Sequence, residues 1–363
     1  MANAVWGGGL ASYWSTRSDV PQVQQPPKDG MRLIATAPDT ARWMTEDEVL
    51  ALIRKDAGFM DITDHQTPVI AVRREVAIPT LPTHKDIVEN LTSWVDMDLV
   101  RQNLVSLSSF NNRYYQSETG VQSADWIYNQ ALNISSHRQG VTVEKFTHSW
   151  AQPSVIATIP GSSGRSDFIV IGAHQDSING LSPMNGRAPG ADDDGSGSVT
   201  LLELFRVIIE GGYYPEVEIR IQWYAAEEVG LRGSQAIAQS YAAEGAEVRA
   251  MMQIDMDGYY EGEEVVAIVT DYTSSELNAW IRTLVETYLT IPWRDTVCGY
   301  GCSDHASFTA AGYPASFPFE ADFSDISPYI HTAQDTVETV DFDHVSHWVK
   351  LAIAFAVETS FDD

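Results

Sequence analysis

The chain has 363 residues and a formal charge of −28, from 50 acidic against 22 basic residues. So acidic a surface repels nucleic acid and anionic membranes, and no run of about 18 apolar residues offers a membrane span, so neither partner is expected. A hydrophobic content of 44% is core enough for one large α/β domain with an appended segment, or for two domains.

Residues 1–30, with "DVPQVQQPPKDG", read as a flexible leader. They lack the basic and then apolar stretches of a secretion signal. Residues 31–84 contain one clear helix, "TEDEVLALIRK". Thr45 and Glu48 make a capping box, Val49, Leu52 and Ile53 an apolar stripe, Arg54 and Lys55 suit its C-terminal end, and Gly58 is a natural stop. The following "AVRREVAIPTLPTH" reads as a linker, with Arg73-Arg74 a dibasic processing site.

From residue 85 onward strands and helices alternate. "WVDMDLVRQNLVSLSSF" and "SADWIYNQAL" read as helices, then "SVIATIP" and the β-branched "DFIVIGAHQDS" as strands. "SGSVTLLELFRVIIE" is a helix ended by Gly211-Gly212. "EVEIRIQWYAAEE", "VRAMMQIDMDG" and "EEVVAIVTD" are strands. "SSELNAWIRTLVETYL" and "FDHVSHWVKLAIAFAVETSF" are helices. This order predicts an α/β fold, a mostly parallel mixed sheet with helices on both faces, whose ligand site lies beyond the carboxyl ends of the strands.

Acidic and histidine clusters fall at those ends. "GAHQDS" carries His174 and Asp176, and "ADDDGSG" carries Asp192, Asp193 and Asp194 just before a helix. "YAAEEVG" carries Glu227 and Glu228, and "QIDMDG" carries Asp255 and Asp257. Each alone reads as a solvated loop. Together at one sheet edge they suit a cation, and mixed imidazole and carboxylate donors suit zinc rather than calcium. Cys298 and Cys302 in "CGYGC" are either two reduced thiols or a small disulfide loop, the latter implying an oxidising compartment. Sequons stand at Asn90 and Asn133.

Taken in order, "VIGAHQDS", "APGADDDGSG", "YAAEEVGLRGS", "QIDM", "CGYGCSDHASF" and "YIHTAQDTVETV" resemble the secreted fungal leucine aminopeptidases, relatives of the bacterial two-zinc aminopeptidases. The likeness runs from about residue 85 to the C-terminus, and "RWMTEDE…GFMDIT" resembles the family's propeptide. It implies a zinc aminopeptidase/carboxypeptidase-like catalytic domain over 85–363, behind a helical propeptide over 31–84. It further implies that His174 and Asp255 bind one zinc and Glu228 and His331 another, with Asp193 bridging the two across a cis Asp193-Asp194 peptide. Glu227 would be the general base toward a water held between two Zn2+ ions, and Asp176 would orient His174. Asp192 and Asp194 would only shape their loop. Tyr300 would assist the substrate carbonyl, and Met256, Phe317, Phe319, Phe323, Ile326 and Ile330 would line an apolar pocket favouring leucine and other hydrophobic N-terminal residues. His305, in the conspicuous "SDHASF", is given a structural role and His331 the ligand role. The likeness also favours a Cys298–Cys302 disulfide and a secreted, extracellular monomer that acts on peptides with a free N-terminus.

Three other readings compete. A single-zinc glutaminyl cyclase shares the expected fold. A metal-free binding module would show broken ligand positions, and none of the five is broken. A carboxypeptidase would need an arginine assigned to the substrate carboxylate, and no motif supplies one.

Overall fold

The protein is described from a computed structural model, over residues 25–37, 40–55, 57–66, 68–71 and 77–361. Most of the leader and the Arg73-Arg74 pair lie outside these residues. In chain order the elements are β1 (Arg32–Ala37), β2 (Thr40–Met44), α1 (Glu46–Ile53), β3 (Met60–Asp61), α2 (Lys85–Thr92), α3 (Met97–Leu107), α4 (Glu118–Ser135), β4 (Thr142–Phe146), β5 (Ser154–Ile159) and β6 (Asp167–His174). There follow α5 (Gly197–Glu210), β7 (Glu218–Tyr224), α6 (Arg232–Glu244), β8 (Glu247–Gln253), β9 (Val266–Val269), α7 (Ser275–Tyr288), β10 (Trp293–Thr296), α8 (His305–Ala310), β11 (Ala315–Ser316), β12 (Pro318–Phe319) and α9 (Phe342–Thr359).

Strand β6 is buried at every residue, as a strand must be when both faces of its sheet are covered. Successive side chains point to opposite faces. Ile169 and Ile171 enter the core shared with α5 and α9, while Phe168 and Val170 enter the one shared with α6 and α8. The main sheet has the order β11-β8-β6-β7-β5-β4. Strands β11, β8, β6 and β7 run parallel, and β5 and β4 are added antiparallel at one edge. A smaller sheet, β10-β9-β12, flanks it. The carboxyl ends of β6, β7 and β8 therefore open onto one rim.

The N-terminal segment departs from expectation. Besides α1 it forms an antiparallel sheet, β2-β1-β3, which helical periodicity could not reveal. The Thr45–Glu48 capping box is present, but α1 stops at Ile53, and Gly58 lies in extended chain beyond it rather than capping it. Arg54 does not serve the helix end either; its Nη1 donates to the Gly180 carbonyl at 3.4 Å. Two smaller differences follow from weak local signals. Helix α2 was not anticipated, and α4 begins earlier than its apolar pattern because Ser117 caps it through the Gly120 N–H.

The segment is bound to the body. Leu33, Met60 and Ile62 pack on Leu231 and Ala306, and Ile53 packs among Tyr114, Tyr115, Ile178, Ala226 and Val229. The Asp61 N–H donates to Gly230 O at 3.1 Å, and Gln235 Nε2 donates to Asp61 O at 2.9 Å. Farther along the chain, the Thr83 and His84 N–H groups donate to the Glu358 carboxylate at 2.9 and 3.0 Å, fixing the connection on α9.

Candidate metal centre

The residue that ends β6, His174, is 1% exposed. Its Nε2 lies 3.1 Å from Asp193 Oδ1 and 3.4 Å from Asp255 Oδ1. His331 Nε2 lies 3.3 Å from Asp193 Oδ2 and 3.0 Å from Glu228 Oε2. Asp193 thus turns one oxygen to each histidine. Two groups of candidate donors result, His174–Asp194–Asp255 and Asp193–Glu228–His331. In the first, Asp194 is occupied by the backbone: its carboxylate accepts from the N–H groups of His174 (2.9 Å), Gly197 (2.9 Å) and Met256 (3.2 Å). It shapes the loop, as does Asp192, which accepts from the Gly258 N–H at 3.0 Å. The Asp193-Asp194 peptide is cis.

Asp176 faces both His174 and the glutamate pair. Its Oδ1 is 3.6 Å from His174 Nδ1, beyond hydrogen-bonding reach. Its oxygens accept from the N–H groups of Glu227 (3.1 Å) and Glu228 (3.3 Å), so it aligns the glutamate pair. His305 belongs to neither group. It is fully buried, stacked on Phe317 at 4.9 Å, and burial holds its pKa down to about 3.

Three further residues, none assigned a role from the sequence, hold these donors in place. Fully buried Arg113 donates through Nε to Gln175 O at 2.7 Å, through Nη2 to Gly190 O at 2.8 Å, and through Nη1 to Pro189 O. One guanidinium so ties the His174 loop to the loop entering the aspartate triplet, a span that suits its planar fork. Asp335 accepts from the Asp192 and Asp193 N–H groups at 2.9 and 3.0 Å. Ser303 Oγ donates to Asp255 Oδ2 at 2.5 Å, leaving Asp255 Oδ1 buried with no hydrogen bond among the described residues. His331 and Met256 hold φ near +60°, a strained conformation that the surrounding packing must impose.

The electrostatics call for a cation. Burial, reinforced by neighbouring acids, pushes Glu227 well above the usual carboxylate range and Glu228 up to about 7. For Asp193, burial is outweighed by the bonds to His174 and His331, which pull it down. A divalent cation inverts this local logic and stabilises ionised carboxylates. Buried carboxylate oxygens and imidazole nitrogens converging at one point, with Asp255 Oδ1 left without a hydrogen bond, fit zinc in donor type.

Glu227 opens, with the donors, onto a cavity of ≈970 Å³. Its apolar wall contains Met256, Phe317, Phe319, Phe323, Ile326 and Ile330, and Tyr300 stands on the same cavity. Burial and the nearby Glu227 raise the Tyr300 hydroxyl well above its ordinary pKa, so it remains a donor at neutral pH. Tyr300 sits in the loop closed by a Cys298–Cys302 disulfide. Ile53, Arg54, Ala57, Gly58 and Phe59 of the N-terminal segment also line the cavity. A Cβ on Gly58 would lie 2.2 Å from the Tyr300 ring, so only glycine allows this approach.

Residues 154–356, more than half of the chain, match the profile of peptidase family M28. The chain is 44% identical to leucine aminopeptidase 1 of Coccidioides posadasii over 347 residues, covering 91% of this chain and 89% of that one. It is 42% identical to leucine aminopeptidase 1 of Fusarium vanettenii over 353 residues, covering 92% and 89%. Among solved structures, the LapA aminopeptidase of Legionella pneumophila superposes with a TM-score of 0.82 at 29% identity, covering 97% of each chain.

Proposed function

The chain belongs to peptidase family M28 and is a metallo-exopeptidase of the aminopeptidase kind; on that footing we propose that it removes leucine and other apolar residues from the N-termini of peptides at a two-zinc centre. The observation that carries this reading is Asp193, whose two oxygens lie 3.1 and 3.3 Å from the nitrogens of two different histidines. His174 and Asp255 would hold one zinc, Glu228 and His331 the second, with Asp193 shared. Zinc supplies a Lewis acid for the scissile carbonyl and lowers the pKa of water toward about 7.

The chain's own residues supply the rest. Glu227, beside the donors and facing the cavity, takes the proton of the attacking water and passes it to the departing amine. Tyr300 donates to the oxygen on which charge develops. The apolar wall accepts the first side chain and excludes water from it. The glutaminyl cyclase reading is not favoured, because a second complete donor group is present and the extensive relatives are aminopeptidases.

The N-terminal segment we read as a propeptide that covers the cleft until it is removed, since its Ile53, Arg54, Ala57, Gly58 and Phe59 line the cavity. Secretion into an oxidising compartment is supported by the disulfide and by sequons at Asn90 and Asn133, both exposed; a monomeric state is part of the same proposal. No helix among the described residues is long and apolar enough to cross a membrane.

A panel of aminoacyl-arylamides, with chelation and zinc add-back, tests the proposal. Leucyl, phenylalanyl and methionyl substrates should be cleaved well ahead of glutamyl ones, activity should vanish on chelation, and zinc should restore it. Equal rates on leucyl and glutamyl arylamides would contradict the pocket assignment. Activity indifferent to chelation would contradict the centre.

A further inference from the structure

The loop that carries Tyr300 is held at a place where no reaction is expected to occur. We propose that Asp271 is a positioning residue for Tyr300, an inference that rests on reading Tyr300 as the oxyanion donor. The Asp271 carboxylate accepts from two consecutive backbone groups of that loop, the Cys298 N–H at 3.0 Å and the Gly299 N–H at 2.7 Å, one on each oxygen. Such charge-assisted bonds are roughly twice as strong as neutral ones. Among the described residues Asp271 pairs with no cation, so these two bonds are what its carboxylate does.

The disulfide and the carboxylate divide the work. The Cys298–Cys302 bridge closes the loop on itself and fixes its shape around Tyr300. Closure alone leaves the loop free to swing as a unit, and Asp271 pins it to the end of β9. Asp271 is itself fixed from both sides. The N–H and Oγ1 of Thr270 both donate to Thr296 O, at 3.1 and 3.0 Å, and Thr309 Oγ1 donates to Tyr272 O at 2.7 Å. The Tyr300 ring also meets Phe323 edge-on at 6.4 Å and Gly58 of the N-terminal segment. Once that segment leaves, the Gly58 contact is lost, and the anchored loop and Phe323 must aim the hydroxyl.

A double-mutant cycle of Asp271→Ala and Tyr300→Phe tests this, with zinc-loaded enzyme processed as the parent is and a leucyl arylamide as substrate. Losing one oxyanion donor costs about 10²–10³ in kcat, the loss expected of Tyr300→Phe. A donor displaced by about an ångström costs up to about 100-fold. Asp271→Ala should therefore lower kcat by about 10- to 100-fold with KM within about twofold, and by less than about twofold when Tyr300 is already phenylalanine. Amide exchange over residues 298–302 should quicken in Asp271→Ala. Asp271→Asn, which keeps one acceptor oxygen, should fall between, and it stands in for the alanine variant should that fail to fold. An unchanged kcat in Asp271→Ala, or the same loss in both backgrounds, overturns the positioning role while leaving the Tyr300 reading intact. A parental kcat in Tyr300→Phe overturns the Tyr300 reading and this inference with it.

Discussion

Repulsion among three adjacent aspartates marked the triplet in the sequence, the family resemblance singled out Asp193 within it, and the structure places that residue between the two histidines. The choice between His331 and His305 was harder, since both sit in vivid motifs. It turns on where the chain returns, and His305 ends up stacked on Phe317 away from the donors. The two should therefore separate cleanly: His331→Phe should bind less than the parental zinc, whereas His305→Phe should keep full metal content, as measured by metal analysis of the purified variants. Half-buried His148 and fully buried His305, with pKa values held down to about 4 and about 3 by burial, also set an acid limb. The unfolded chain protonates them near pH 6.5 and the folded chain does not, so stability falls as pH drops from about 6.5 toward 4. Melting curves of His305→Phe across that range should show a shallower decline than the parent, and an identical pH profile would remove His305 from the account. Arg113 was not legible, and Asp335 and Ser303 fall within "YIHTAQDTVETV" and "CGYGCSDHASF" without a role that local pattern assigns. Their partners are carbonyls, amides and a carboxylate 48 to 143 positions away.

Long elements announced themselves and short ones did not. Helices α5, α7 and α9 and strand β6 match their expected runs to within about three residues, because each buries a continuous apolar face. The strands β10, β11 and β12 are two to four residues long and owe their existence to pairing with β9 and β8. The N-terminal sheet is of the same kind: Arg32 of β1 bonds Asp61 of β3 at 2.8 Å and reaches Val229 O of the body, contacts that only the assembled molecule contains. Gly58 gives this element a test. A side chain there must collide with Tyr300, so Gly58→Leu in the full chain should loosen the segment and raise activity before processing, at least several-fold. N-terminal sequencing must confirm that the segment is still attached. Full activity in the unprocessed parent would contradict the covering role.

At the scale of the molecule, a minority of the acidic residues is buried, and several of these gather at the rim of the sheet. Asp257 and Asp335 are pushed up to about 7 mainly by burial, and with Glu228 they make the rim costly to ionise without a counter-charge. Bound metal should therefore stabilise the fold. A ligand at about 1,000 times its Kd adds about 4 kcal/mol, which in a chain of this size corresponds to a shift of roughly 5 °C in Tm. Chelation should lower the melting temperature by that order, and zinc should return it; an unchanged Tm in protein shown to have lost its metal would contradict this coupling. The most direct measurement on the central claim is the pair of zinc content and kcat in Glu227→Ala. A poised base that is not itself a donor predicts parental zinc with kcat lowered by about 10²–10⁴. Parental turnover in a variant that keeps its zinc would contradict it.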